Sequence, residues 1–307
     1  MIFLIISQIV GTKCCIAPTY QQLSLKGLPV SALTEPGQVM YWIKDVNKMG
    51  ETDIERLKRY IIRHGAVIIK GQKMTKDQHI ALTKSLGTPV EVPNSFFMHG
   101  DDLKGNITVV PVSNYWYNGT WKGGKHSYGQ YWHKDMNFLP EEKAHIFSIF
   151  YAKDYQQGEK GGTTGFIDAC KARRELPLSL EKRIRGIKFK FGADLSGDYR
   201  KCATQSDLDY YGEVERSLIF LHPVRKCECI NLAKTKYGFR LSESKKESLE
   251  AVEETWEWVQ KRPYYQHIWT QGDIAIWDNF AVFHKLLPYI DEGKKRAFDR
   301  TYTRPSF

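Results

Sequence analysis

The pattern of hydrophobic and polar positions near the start of the chain predicts a helix followed by a buried strand. The helix is expected over Asp53–Arg63, where a capping box of Thr52 and Glu55 would begin it and Gly65 would end it. Its apolar side chains recur at helical spacing, at Ile54, Leu57 and Ile61. The β-branched run that follows, within residues 66–70, predicts a short buried strand.

Two more helices are expected, and most of the remaining chain is predicted to form short strands. A capping box at Thr75 and Gln78 and a stop at Gly87 bound the second helix, and the third is expected over residues 244–260. Runs rich in β-formers predict the strands Ile107–Val112, Ile146–Ala152, Ser217–Leu221 and Asp273–Trp277. Many separated strands, with helices near the front and in one late insertion, indicate a mainly β fold with flanking helices, either a barrel or a sandwich.

Composition indicates a globular protein, and the net charge indicates an anionic partner. Of the 307 residues, 42% are hydrophobic and 26% are charged, values that argue against a disordered, collagen-like or coiled-coil chain. Lys and Arg number 45 against 35 Asp and Glu, which gives a net charge of +10. This surplus favours an anionic partner, and charge alone leaves open a carboxylate or sulfonate ligand, a phosphate backbone or an acidic membrane surface.

The cysteines and the N-terminus bear on the cellular compartment. Six cysteines do not resemble a disulfide framework, and the lone pair Cys227 and Cys229 lacks the second pair that a zinc site normally needs. Reduced, mostly buried thiols in a cytoplasmic protein are therefore expected. Residues 1–26 are interpreted as an extension of a single domain over 27–307; their apolar start is a weak signal-like segment, too short to span a bilayer.

The first candidate chemistry lies in the segment Tyr131–Phe138. Residues two apart on a strand project to the same face, so His133 and Asp135 would present an imidazole and a carboxylate side by side, as a two-point clamp for a divalent metal. A His-x-Asp pair is also common on a polar strand face. By itself the pair does not separate these two interpretations.

A third candidate ligand, His284, follows the apolar run Ala281–Phe283 near the C-terminus. Such a run would bring the side chain to the interior, where it would be either a hydrogen-bonded core histidine or a metal ligand. Two histidines and one carboxylate form the facial triad that binds non-haem Fe(II). This triad leaves coordination positions open for a co-substrate and O₂.

Two arginines follow the last candidate ligand. Arg296 and Arg300 are four residues apart, which on a strand places both guanidinium groups on one face. Arginine offers bidentate donors and stays charged, so the pair would suit a carboxylate. The alternative is that Arg296 belongs to a generally basic C-terminal stretch.

These motifs occur in an order that resembles the taurine/2,4-D dioxygenase family of Fe(II)- and 2-oxoglutarate-dependent oxygenases, over roughly residues 27–304. The shared segments are Arg63–Ile69, Leu86–Pro89, Trp132–Asp135, Gly161–Thr164, Gly272–Asn279 with the histidine that follows, and the arginine pair. The resemblance implies a double-stranded β-helix, a jelly-roll barrel with the metal at its mouth. It also implies that His133, Asp135 and His284 are the three iron ligands.

The resemblance further implies roles around 2-oxoglutarate. Arg296 matches the residue that pairs with the distal carboxylate of 2-oxoglutarate, and Thr164 matches a hydroxyl donor to the same carboxylate. Arg300 matches a second arginine near the co-substrate or the substrate. In this family 2-oxoglutarate and O₂ are consumed, succinate and CO₂ are released, and an unactivated C–H bond is oxidised.

Two departures from the family pattern bear on the substrate. Taurine-oxidising members place a histidine where this chain has Val92, so taurine is not the expected substrate. The segment 113–130 is longer than the corresponding loop of typical members and is rich in Tyr and Trp, which is interpreted as an aromatic lid. The alternative is an exposed loop whose aromatic side chains pack locally. His126 in this Gly-rich segment is not expected to bind metal.

The leading hypothesis is therefore an enzyme that hydroxylates a small, anionic or zwitterionic molecule, with Fe(II) as cofactor and 2-oxoglutarate and O₂ as co-substrates. Neither a nucleic-acid partner nor a membrane partner is expected, and a homo-oligomer is compatible with the resemblance. One alternative is an oxygenase that acts on nucleic acid or a protein side chain through a basic surface. The other is a non-catalytic binding protein on the same fold, which the complete triad and Arg296 disfavour.

Overall fold

The computed structural model of the chain describes residues 36–93, 106–114, 116–117, 120–121, 129–137, 139, 141–156, 161–192, 213–232, 239–241, 246–288 and 294–306. The predicted N-terminal extension, residues 1–26, lies outside these ranges, as does His126. Most of the predicted aromatic lid lies outside them too, apart from residues 113–114, the paired residues 116–117 and 120–121, and residues 129–130.

The elements within the described ranges are as follows. The α-helices are α1 (Glu51–His64), α2 (Lys76–Leu86), α3 (Glu141–Ala144), α4 (Ala169–Arg174), α5 (Leu178–Ile184) and α6 (Lys246–Gln260). The first strands are β1 (Gln38–Val39), β2 (Ala66–Ile69), β3 (Gly87–Pro89), β4 (Val92–Pro93), β5 (Asn106–Ile107), β6 (Val110–Ser113), β7 (Trp116–Tyr117), β8 (Thr120–Trp121), β9 (Phe147–Tyr155) and β10 (Thr164–Asp168). The later strands are β11 (Lys188–Gly192), β12 (Glu213–Ser217), β13 (Ile219–Leu221), β14 (Glu228–Ile230), β15 (Phe239–Leu241), β16 (Tyr265–His267), β17 (Ile274–Asp278), β18 (Val282–Leu286) and β19 (Arg296–Pro305).

Helix α1 confirms the predicted helix but not its predicted cap. The helix begins directly after Gly50, which makes no side-chain cap bond, and Thr52 is already helical. The predicted capping box of Thr52 and Glu55 is therefore wrong. The acidic side chains of the first turn complement the positive end of the helix dipole instead. Gly65 ends the helix as predicted, with a φ of 76° that favours glycine.

Helix α2 matches its prediction at both ends. The Thr75 hydroxyl accepts a hydrogen bond from the Gln78 backbone N–H at 3.2 Å, and the Gln78 side chain accepts one from the Thr75 N–H at 2.8 Å. Gly87 follows as the C-cap. This capping box is confirmed because both of its bonds are local and need no tertiary contact.

The described strands form six sheets, and two of these contain the strands around the candidate ligands. The larger has the order β1-β2-β17-β9-β19-β3, with β6 also paired to β19, and a second sheet has the order β16-β10-β18. The predicted strands Asp273–Trp277 and Ile146–Ala152 are β17 and β9. The predicted strand Ile107–Val112 is divided between β5 and β6, and Ser217–Leu221 between β12 and β13. The expectation of a mainly β fold with flanking helices is confirmed, while the described strands form no closed barrel.

The larger sheet is covered on both faces. Alternate side chains of its central strand β17 belong to two different apolar clusters. Ile274 and Ile276 belong to an apolar cluster that includes α1 and α2, whereas Ala275 and Trp277 belong to the cluster shared with the second sheet. Alternate residues of a strand face opposite sides, so helices pack on one face and the smaller sheet on the other. Within the described ranges, each helix is too short or too polar to cross a bilayer.

The cysteines differ from expectation in one respect. Cys170 in α4 and Cys229 in β14 form a disulfide across 59 positions of sequence, so the expected reduced state is wrong for this pair. Cys227 is a buried thiol outside that bond. The sequence spacing alone did not predict the pairing, because the two segments meet only through the tertiary fold.

Candidate metal centre

Three side chains from two distant segments converge beside strand β18. His133 and His284 exchange backbone hydrogen bonds of 3.0 and 2.9 Å in an isolated antiparallel bridge. Asp135 Oδ1 lies 3.6 Å from His133 Nε2, and Asp135 Oδ2 lies 3.5 Å from His284 Nε2. One ligand atom from each side chain lies within 4.8 Å of the others. The structure thus brings together all three residues predicted to bind the metal.

The geometry of the His-x-Asp pair is not the predicted strand geometry. His133 lies in a single bridge and Asp135 lies in a turn that continues through Met136, whose φ is 57°. Asn279 holds this turn from the other segment. Its Oδ1 accepts from the Asp135 N–H at 2.9 Å, and its Nδ2 donates to the Asp135 carbonyl oxygen. The pair therefore converges because a side chain 144 positions away clamps the backbone.

In both histidines the ring nitrogen Nε2 is available to bind a metal ion. His133 Nδ1 lies 2.7 Å from the Tyr131 carbonyl oxygen, to which it donates, so Nε2 carries the lone pair that faces Asp135. His284 is 3% exposed, and neither of its ring nitrogens has a hydrogen-bond partner among the described residues. A buried polar atom without a partner is unusual in a folded protein. A metal ion bound at Nε2 would satisfy this nitrogen.

The electrostatic setting favours the protonation states of metal ligands. Burial, together with the nearby His284, lowers the pKa of His133 to about 3. Burial acts to raise the pKa of Asp135, but the Arg300 guanidinium and the two histidines lower it below its ordinary value. At neutral pH the site therefore offers a neutral imidazole and a carboxylate, the forms that bind a divalent cation. Two imidazoles and one carboxylate fit the Fe(II) facial triad.

Arg300 is the counter-charge of this site. Its Nη1 lies 3.2 Å from both oxygens of Asp135 and 3.3 Å from the Tyr302 hydroxyl. The guanidinium also stacks 4.6 Å from the centroid of Phe150. Ser148 donates a further hydrogen bond to Asp135 Oδ2 at 3.3 Å. Arg300 is thus placed against the metal ligand.

Lys134, between two of the candidate ligands, points to other partners. Its ammonium group donates to the carbonyl oxygens of Ile230, at 3.0 Å, and Phe280, at 2.6 Å. Burial lowers the pKa of Lys134 to about 7, although Asp278 acts to raise it. The lysine ties the His133–Asp135 segment to strand β14 and to the turn between β17 and β18.

A second group of two histidines and one aspartate is centred on Asp278, the residue before Asn279. In this group His222 Nδ1 accepts the backbone N–H groups of Val224 and Arg225 at 3.2 and 3.1 Å, so its proton is on Nε2 and is donated to Asp278 at 2.8 Å. Asp278 Oδ1 also accepts the Phe280 N–H at 3.0 Å. The third member is His145, whose Nε2 lies 3.3 Å from Asp278 Oδ1, so both histidines converge on the aspartate that supports the turn carrying Asn279.

The residues predicted to bind 2-oxoglutarate lie farther along strand β19 and on β10. Gly162 has a φ of +80°, and a Cβ placed there would lie 1.7 Å from Arg296 Nη1, so the guanidinium occupies the space that a side chain would fill. Trp269 Nε1 donates to Thr164 Oγ1 at 2.9 Å, which leaves the Thr164 hydroxyl proton able to donate elsewhere. Trp269 packs edge-on against Phe298, at 4.9 Å between ring centroids, on the strand between the two arginines.

Sequence reasoning assigned no role to Asn279, Ser148 or Tyr302. Asn279 did lie within the recognised Gly272–Asn279 segment, and its position after an apolar strand was a usable signal for a polar support. Ser148 and Tyr302 are alternate residues of ordinary strands, and no local pattern marks them. Their contacts with Asp135 and Arg300 depend on the β9–β19 pairing, where Tyr302 lies opposite Ser148.

The chain is similar to known dioxygenases over most of its length. The family model "Taurine catabolism dioxygenase TauD, TfdA family" matches residues 30–302. An alpha-ketoglutarate-dependent 2,4-dichlorophenoxyacetate dioxygenase of Cupriavidus pinatubonensis is 25% identical over 280 residues, which cover 83% of this chain and 90% of that protein. An alpha-ketoglutarate-dependent sulfate ester dioxygenase of Pseudomonas putida is 24% identical over 255 residues, 75% of this chain and 74% of that protein.

A solved structure shares the fold. The crystal structure of AAD-2 in complex with Mn(II) and N-oxalylglycine superposes with a TM-score of 0.73 at 19% identity, covering 91% of this chain and 98% of that chain. The protein is an oxidoreductase that uses Fe(II), with 2-oxoglutarate and O₂ as co-substrates. Because the family model spans most of its length, the chain belongs to the TauD/TfdA family of dioxygenases.

Proposed function

We propose that this dioxygenase hydroxylates an unactivated C–H bond of a small, anionic or zwitterionic organic molecule, at a metal held by His133, Asp135 and His284. One observation carries the assignment of the ligands. Their donor atoms converge within 4.8 Å, and the buried ring of His284 lacks any hydrogen-bond partner among the described residues. When bound, Fe(II) supplies O₂ activation coupled to the conversion of 2-oxoglutarate into succinate and CO₂.

The chain's own residues would bind and orient the two organic molecules. Arg296 would pair with the distal carboxylate of 2-oxoglutarate, assisted by the Thr164 hydroxyl. Support comes from the space that Gly162 leaves for the guanidinium and from the Trp269 bond that orients Thr164. Arg300, buried against Asp135, would keep the carboxylate ionised and would offer its remaining donors toward the co-substrate or the substrate.

The substrate class is inferred from the substrates named for two relatives and from the residue at position 92. The two relatives are named for 2,4-dichlorophenoxyacetate and for sulfate esters, both anions with a larger organic body. Here Val92 is fully buried in an apolar cluster with Met136 and Tyr302, which adjoin Asp135 and Arg300. Val92 offers no polar group to a sulfonate, so taurine is not the expected substrate, and the names of the relatives favour an organic anion with a hydrophobic body.

The same proposal extends to architecture and setting. We infer that the two main sheets are the walls of a double-stranded β-helix, because β17 of one and β18 of the other are joined by the turn that supports the metal site. We also propose that residues 27–307 form a single domain and that the protein is cytoplasmic. Its partner would be a small-molecule substrate, with neither nucleic acid nor a membrane as a partner.

The test is succinate release and O₂ consumption with Fe(II), 2-oxoglutarate and a panel of aryloxy carboxylates and alkyl sulfate esters. His133→Ala and Asp135→Ala should abolish turnover, and Asp77→Ala, an exposed carboxylate in the first turn of α2, is the matched control. Retained turnover in either ligand variant would contradict the assigned metal site.

Binding of 2-oxoglutarate is tested separately by Arg296→Ala, with Arg174→Ala, an exposed arginine of α4, as its control. Loss of a charge-assisted pair should raise the KM for 2-oxoglutarate by about 10- to 100-fold, with a smaller effect on kcat. An unchanged KM would remove Arg296 from the proposed binding site.

A further inference from the structure

Three buried cysteines meet where α4 packs against β14. They are Cys170 in α4, Cys229 in β14 and Cys227 directly before β14. Their exposed fractions are 0%, 0% and 5%, and their sulfur atoms all lie within 4.8 Å of one another. One pair, Cys170 and Cys229, forms the disulfide. A third sulfur therefore lies within reach of an existing S–S bond.

The backbone explains why two of the sulfurs face the third. Cys227 and Cys229 are two positions apart, and the hydrogen bond from the His222 N–H to the Cys227 carbonyl oxygen, 2.8 Å, extends the β13–β14 ladder to Cys227. Residues two apart on a strand project to the same face. Both therefore point toward α4, where Cys170 is held by its backbone N–H bond to Asp168 at 2.8 Å.

We propose that these cysteines form an internal thiol–disulfide exchange site in which Cys227 and Cys229 compete for Cys170. The Cys227 thiolate attacks Sγ of Cys170, a Cys170–Cys227 bond forms, the Cys170–Cys229 bond breaks, and Cys229 leaves as a thiolate. The proton lost by Cys227 passes to Cys229. The numbers of S–S bonds, thiols and electrons are unchanged, so the exchange needs no external oxidant or reductant.

Arg225 is a cation close to the Cys227 sulfur. Arg225 lies two positions before Cys227, and its guanidinium is 3.1 Å from Asp168, the residue that caps α4. Although burial acts to lower it, the pKa of Arg225 is raised by Asp168, Asp278 and Cys227, which places a fixed positive charge near this sulfur. A neighbouring cation stabilises a thiolate, and the thiolate is the nucleophile.

The exchange would affect elements that contact the metal-ligand segment, because the disulfide joins two of them. The disulfide joins α4, which follows directly on β10, to β14, and the carbonyl oxygen of Ile230 in β14 accepts the Lys134 ammonium group. In β10, Phe166 lies opposite His284 of β18. Exchange would move the crosslink from Cys229 in β14 to Cys227, directly before that strand, and so change how α4 is attached to the strand that Lys134 contacts.

The experiment traps the thiols of the purified full-length protein with N-ethylmaleimide under denaturing conditions at mildly acid pH, followed by digestion and mass spectrometry. In the wild-type protein we expect the label on both Cys227 and Cys229 and none on Cys170. A label confined to Cys227 would overturn the proposal, because it would mean that the disulfide does not exchange.

Single-cysteine replacements test whether Cys227 and Cys229 can each form a disulfide with Cys170 when the other is absent. After treatment with glutathione disulfide, which takes up the two electrons, Cys229→Ser should contain a Cys170–Cys227 bond and Cys227→Ser a Cys170–Cys229 bond. Thermal unfolding of each variant verifies its fold, and Cys202→Ser, outside the trio, is the matched control. Reduced Cys170 in folded Cys229→Ser would contradict the proposal. So would one zinc or copper ion per chain with all three thiols reduced, which would indicate a three-thiolate metal site.

Discussion

Replacing Arg300 by methionine tests whether the charge of this residue stabilises the metal-free site. The guanidinium is the cation that contacts both Asp135 oxygens, at 3.2 Å, and the two side chains are only 15% and 10% exposed. Methionine keeps much of the length and apolar contact with Phe150 but removes the charge. The variant would leave a buried carboxylate without its counter-charge.

The expected effect depends on whether a metal is present. Breaking a buried ion pair by removing one partner costs about 3–5 kcal/mol, so the metal-free variant should lose that much unfolding free energy. A bound divalent cation supplies the missing positive charge, and it is no longer repelled by Arg300. We therefore expect Mn(II) to bind the variant about tenfold more tightly than the wild type, so that the stability deficit shrinks by about 1.4 kcal/mol.

The assay is urea unfolding of the metal-free protein with and without saturating Mn(II), followed by fluorescence. Lost packing around Phe150 would weaken both states equally, so only the difference between them reports on charge. In the metal-free state, adding Asp135→Asn to Arg300→Met should restore part of the lost stability, since the unpaired charge is then absent. An equal deficit with and without Mn(II) would refute the electrostatic reasoning.

Three other expectations follow from the described contacts. Asn279→Ala removes both hydrogen bonds that clamp the Asp135 backbone, so the Kd for Mn(II), measured by calorimetry, should rise about 10- to 100-fold; an unchanged Kd would contradict the clamp. Gly162→Ala would place a Cβ 1.7 Å from Arg296 Nη1, and steady-state kinetics should show a KM for 2-oxoglutarate raised by about tenfold, whereas a normal KM would place Arg296 elsewhere. Burial lowers the pKa of His79 from 6.5 to about 4. Because the unfolded chain binds the proton first, stability should fall as the pH drops from 6.5 to 4, and His79→Gln should remove about 3 kcal/mol of that dependence in urea unfolding at several pH values. The same pH slope in both proteins would refute this assignment.

Local signals predicted the elements that are held by local bonds. The capping box of α2 needs only Thr75 and Gln78, and it was predicted at both residues. The same Thr-x-x-Glu pattern at Thr52 failed in α1, because the helix begins at Glu51, two residues before the predicted start, and leaves Thr52 inside the first turn. Short motifs of this kind establish that a helix starts nearby, while its first residue depends on the preceding backbone.

The candidate ligands were predicted from residue type and order, but their geometry was not. Convergence of His133 and Asp135 results from the bridge to His284 and the clamp by Asn279, both of which join positions more than 140 residues apart. The Cys170–Cys229 bond has the same character. Periodicity reports which face a residue occupies within its own element, and it contains no information on which distant element will lie opposite.

The arginine pair shows an intermediate case. Arg296 and Arg300 share a strand as predicted, and Phe298 separates them on the same face. That Arg300 would contact Asp135 could not be predicted, because it depends on the register in which β19 pairs with β9, opposite Phe150. The contact reveals Arg300 as a partner of a metal ligand in addition to its expected place near an organic anion.

A crystal structure of the protein with Mn(II) and N-oxalylglycine, the pair found in the structural relative AAD-2, tests the central claim most directly. We predict that Mn(II) is bound by His133 Nε2, an Asp135 oxygen and His284 Nε2, and that the distal carboxylate of N-oxalylglycine contacts Arg296. A metal bound elsewhere, or an analogue whose distal carboxylate lies away from Arg296, would contradict the account.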